Sequence, residues 1–93
     1  MATIYTLTLT TSYYSNDYKK VNSHTSVVGA YQNERDVRDY LMSRVQSYAY
    51  RLTENKFNRI EVRSNSVEVH IENFDGEGTH ENFEWKYTEL ELQ

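Results

Sequence analysis

Glu68-x-His70-x-Glu72 places three side chains able to carry a proton or ligate a metal on one side of a single extended segment, if that segment is a strand. Each two-residue step then spans about 6.6 Å, which is wide for ligands of one ion, and no second histidine clusters with the trio in sequence. The trio reads as part of a charged outer face, and no metal is expected. His24, His70 and His80 could each act as a general base. None sits in a nucleophile setting such as G-x-S-x-G, and all fall on strands or on a loop expected to be exposed. Cysteine is absent, which excludes a thiol nucleophile, a thiolate zinc site and a disulfide framework. Asp75-Gly76-Glu77-Gly78-Thr79-His80-Glu81 mixes acids and glycines, but it lacks the ligand spacing of an EF-hand and the Gly-Lys-Ser/Thr of a phosphate cradle. It reads as a hairpin loop. No enzyme activity and no cofactor are expected.

The elements that carry these residues follow from periodicity. Tyr5, Leu7, Leu9 and Tyr13 alternate with Thr6, Thr8 and Thr10 at the strand period of two. After a polar tip at Ser15, Asn16 and Asp17, the segment from Lys19 to Gly29 returns as the antiparallel partner, with Val21 and Val27 inward and Gly29 at its end. Asn33 is placed to cap a helix whose first turn holds Glu34 and Asp36. Val37, Tyr40, Leu41, Val45, Tyr48 and Leu52 then form one apolar stripe about five turns long. Ile60 and Val62, then Val67, Val69 and Ile71, mark two strands joined at Ser64-Asn65, with Val62 opposite Val67. Phe83, Trp85 and Tyr87 alternate in a fifth strand, and the parity switch to Leu90 and Leu92 predicts a bulge or strand end near Thr88.

The fold class is therefore α+β, a single domain over residues 1–93 in the order β-β-α-β-β-β. One helix packs on one face of an antiparallel sheet of about five strands. The other face displays Glu61, Arg63, Glu68, His70, Glu72, Glu84 and Lys86. In the simplest register Glu61 opposes Glu68, a like-charge pair that costs stability; a second register pairs Glu68 with Lys86 across the neighbouring strand.

Charge is unevenly spread over the 93 residues. Residues 1–60 carry eight Lys/Arg against five Asp/Glu, a balance of +3, and residues 61–93 carry two against nine, a balance of −7. Tyr13, Tyr14, Tyr18 and Tyr31 gather with Lys19 and Lys20 around the first hairpin, with Tyr13 expected in the core and the others in edge packing. That aromatic and basic mixture could stack on single-stranded nucleic acid, but the overall acidity opposes direct nucleic-acid binding. No run of 18 apolar residues and no basic, apolar leader is present, so no membrane partner is expected and the chain reads as cytoplasmic, in the producing or host cell.

These features predict a protein-binding inhibitor whose acidic sheet face occupies a basic groove, as a decoy for nucleic-acid phosphates. The residues expected to meet the partner are Glu61, Glu68, His70, Glu72, Asp75, Glu77 and Glu84. In general type, compact and acidic with no catalytic motif, the chain resembles small phage-encoded inhibitors of host defence, including anti-CRISPR proteins. The resemblance implies a host nucleic-acid-binding protein as target and assigns no role to any single residue. The alternatives are a self-associating structural module forming a homodimer, with the threonine-rich first strand as a sheet edge, and a small-ligand binder with the tyrosines as a pocket wall.

Overall fold

Strand alternation at the N-terminus builds the centre of the sheet. A computed structural model describes residues 2–15, 17, 19–72 and 78–92. Expectations for Asn16, Tyr18, Asp75 and Glu77 lie outside these residues, as does the expected inward side chain of Val21. The described elements are β1 (Ala2–Tyr14), β2 (Lys20–Tyr31), α1 (Glu34–Tyr48), a 3-10 turn (Ala49–Thr53), β3 (Arg59–Val62), β4 (Ser66–Glu72) and β5 (His80–Leu92). They form one antiparallel five-stranded sheet in the order β2-β1-β5-β4-β3, with α1 on one face, which is the α+β architecture expected.

Tyr5, Leu7 and Leu9 of β1 pack toward the helix, as their alternation predicts, and Leu7 is fully buried among Val37, Leu41, Val67, Val69, Ile71, Trp85 and Tyr87, whereas Tyr13, expected in the core, is half-buried and lies outside this cluster. Tyr48 of α1 tilts against Trp85 and Phe83, with ring centroids 5.6 and 5.9 Å apart. Tyr87 anchors the start of the helix. Its hydroxyl accepts from Arg38 Nε at 3.1 Å and lies 3.4 Å from Glu34 Oε2. This hydroxyl first, and then the Glu34 carboxylate, raise the Arg38 guanidinium above its ordinary range. Asn33 takes the extended N-cap conformation and its carbonyl accepts the N–H of Val37 at 3.4 Å, but its side chain makes no cap bond. The two-residue turn at Ser64-Asn65 closes with Arg63 N–H donating to Ser66 O at 2.9 Å, which sets Val62 opposite Val67.

Several expectations are corrected. The first strand is interior, flanked by β2 and β5, so the edge strands are β2 and β3. β2 does not end at Gly29; it runs to Tyr31, and the register slips between Leu7 and Thr8, where Gly29 and then Val27 are the β2 partners and Val28 is the extra residue. Val27 sits opposite Thr8 and is 70% exposed, so it is not a core residue. The helical stripe stops at Tyr48 because the chain tightens into the 3-10 turn, which leaves Leu52 exposed. No bulge occurs near Thr88. β5 pairs with β1 residue for residue from Ala2–Leu92 to Tyr14–His80, and Leu90 stays in phase with Lys86 and Glu84, on the open face opposite Ile4.

Candidate functional site

The face turned away from α1 takes its residues from the even positions of β1, β4 and β5 and the odd positions of β3. Glu61 lies opposite Glu68, and Glu68 lies opposite Glu84. Three glutamates therefore form one row across three adjacent strands, and Thr10 and Thr25 continue it through β1 and β2. At about 4.8 Å per strand the row of backbones spans roughly 10 Å. The alternative pairing of Glu68 with Lys86 is overturned, because Ser66 stands opposite Lys86.

Arg63 and Arg59 partly neutralise one end of the row, at 2.5 and 3.6 Å from Glu61. Among the described residues no Lys, Arg or His pairs with Glu68 or Glu84 within 4.0 Å. Like charges directly opposite each other on a sheet destabilise it, and Glu68 has such a neighbour on both sides. Glu68→Gln is accordingly expected to raise the unfolding free energy by about 0.2–1 kcal/mol, seen as a higher urea midpoint at low salt. A stability unchanged or lowered would show that the row carries no repulsion.

His70 and Glu72 do not join this exposed row. Glu72 stands directly opposite His80, which opens β5 rather than lying in the preceding loop. The pairing brings the three together: His70 Nε2 donates to Glu72 Oε1 at 3.1 Å, and His80 Nδ1 contacts Glu72 Oε2. The imidazoles stack with centroids 5.9 Å apart and planes inclined by 22°. Side-chain exposure is 10% for His70, 9% for Glu72 and 5% for His80, against the exposed positions expected for both histidines. His24 is exposed on β2, as expected.

Asn58, which nothing in the sequence marks, fixes this end of β4. Its carboxamide oxygen accepts the Glu72 N–H at 2.8 Å while its Nδ2 donates to Arg51 O at 2.8 Å. Beside the trio lies a cavity of about 370 Å³ lined by Tyr14, Phe57, Arg59, Glu68, His70, Glu72 and Asn82. Tyr14, assigned to edge packing by its sequence context, belongs to this wall, and Tyr31 instead packs against the core beside Tyr40, with centroids 6.4 Å apart.

Of the seven residues expected to meet a partner, Glu61, Glu68 and Glu84 form the open row, and His70 and Glu72 form a recessed cluster beside it. Asp75 and Glu77 lie outside the described residues. The fold and site define an α+β protein whose antiparallel sheet carries, on the face turned from the helix, an open acidic row and a recessed His-Glu-His cluster. No protein-family model, curated protein or solved structure matches the chain. Among the described residues no helix is long and apolar enough to cross a membrane.

Proposed function

We propose that this protein binds a basic protein surface through its open sheet face and so excludes nucleic acid from it, as an inhibitor of a nucleic-acid-binding protein. The observation that carries this reading is the row Glu61, Glu68 and Glu84, held on three adjacent strands with, among the described residues, only Glu61 paired to arginine. A sheet with no use for this face avoids stacking like charges at the destabilising cross-strand positions. Carboxylates fixed on a rigid sheet need little reordering on binding, and their shared field speeds encounter with a cationic groove.

The test is capture from bacterial lysate by wild type and by the triple variant Glu61→Lys, Glu68→Lys, Glu84→Lys. Capture is followed by competition with duplex DNA on the protein identified. Wild type is expected to hold a nucleic-acid-binding protein that duplex DNA displaces and added salt weakens, and the variant to associate at least about 10-fold more slowly. Equal capture by a folded triple variant would sink the reading.

A second reading has its own support. Leu90 and Leu92 are exposed on the same open face beside Ile4, Val27 is exposed on it opposite Thr8, and among the described residues no strand pairs with the outer edge of β2. These features suit pairing with another copy, and solution mass decides between the readings.

A further inference from the structure

We propose that His70, Glu72 and His80 form a binding site for a divalent transition-metal ion of the zinc class, independent of the acidic row. One potential ligand atom from each residue can be chosen so that all three lie within 4.8 Å of one another. Tetrahedral ligands about 2.1 Å from an ion stand about 3.4 Å apart, so modest side-chain rotation closes the set around a single ion. Two imidazoles and one carboxylate suit zinc and its neighbours in the first transition row, whereas calcium and magnesium favour all-oxygen shells.

The backbone makes the set rigid. His70 and Glu72 share one side of β4, and His80 is the cross-strand partner of Glu72 on β5. The Asn58 carboxamide holds the Glu72 N–H, so the carboxylate projects from a pinned strand end. Both His70 and Glu72 also line the adjacent cavity of about 370 Å³, which gives the ion a path in and leaves its fourth position for water or a small ligand. Three protein ligands with one open position distinguish reactive zinc sites from closed structural ones.

The test is calorimetric titration of the chelator-treated full chain with zinc chloride. One zinc per chain is expected, with no saturable uptake of calcium or magnesium. His70→Ala and His80→Ala should each weaken zinc binding at least about 100-fold, more than outer-shell changes cost, while His24→Ala leaves it unaltered. Far-UV circular dichroism confirms that each variant is folded. A second readout needs no variant: in the wild-type chain one equivalent of zinc should move the imidazole proton resonances of two histidines and leave those of His24 in place. Failure of folded wild type to take up zinc, or equal uptake by a folded His70→Ala/His80→Ala double variant, would overturn the site. So would zinc-induced shifts confined to His24.

Discussion

Trp85→Ala is expected to lower the unfolding free energy by about 3–5 kcal/mol, a large part of the about 5–15 kcal/mol that holds a domain of this kind. Trp85 is almost wholly buried, stacks on Phe83 at 6.1 Å, meets Tyr48 in a tilted contact at 5.6 Å, and stands between Leu9 and Val67 of the neighbouring strands. Truncation removes the side chain that joins α1 to the middle of the sheet and leaves a cavity that rigid strands on both sides cannot collapse. At about 4–8 °C per kcal/mol the melting temperature should fall steeply. The chain has one tryptophan, so unfolding of this variant is followed by far-UV circular dichroism rather than by fluorescence. Val62→Ala is the comparison: it carries the same apolar pattern in the sequence, but the structure leaves Val62 exposed, and a change within about 0.5 kcal/mol is expected. Equal losses at the two positions would contradict the burial seen here.

What could be read in the sequence was whatever depends on near neighbours. The alternation of Tyr5, Leu7 and Leu9, the stripe from Val37 to Tyr48, and the Val62–Val67 hairpin each follow from a few residues acting locally, and each is present. The sheet order depends instead on β1 pairing with β5 across most of the chain, and no local signal encodes that choice. It decides the rest. Because β5 matches β1 residue for residue, Leu90 remains in phase with Lys86 and faces outward, whereas local reading places the apolar residue inward by inventing a bulge. The same long pairing makes His80 a strand residue opposite Glu72, and so produces a cluster that spacing within β4 alone cannot reveal. The glutamate row was half legible. Glu61 opposite Glu68 follows from the short hairpin, but Glu84 joins only through the register of β4 on β5.

The strand order has a direct mechanical test in paired proline substitutions on two rungs of the β1–β2 ladder. Thr10 faces Thr25 and Thr11 faces His24. Successive N–H groups along a strand point to opposite lateral sides, so in β1 one of Thr10 and Thr11 donates toward β2 and the other toward β5. Thr10→Pro and Thr11→Pro should therefore both break a ladder bond and strand a buried carbonyl, at about 1–3 kcal/mol, before the ring's own clashes are added. In β2 only alternate N–H groups meet β1, so of His24→Pro and Thr25→Pro one should be severely destabilised and the other should keep a folded circular dichroism spectrum. A folded protein from either β1 substitution would return the first strand to the sheet edge and refute the order β2-β1-β5-β4-β3. The tolerated β2 variant then serves the question of self-association. Its proline ring blocks the free side of the strand, so if wild type is a dimer through β2 the variant should be monomeric by light scattering. A variant of unchanged mass places the contact, if the chain has one, on the open face with Val27 and Leu90 rather than along the edge.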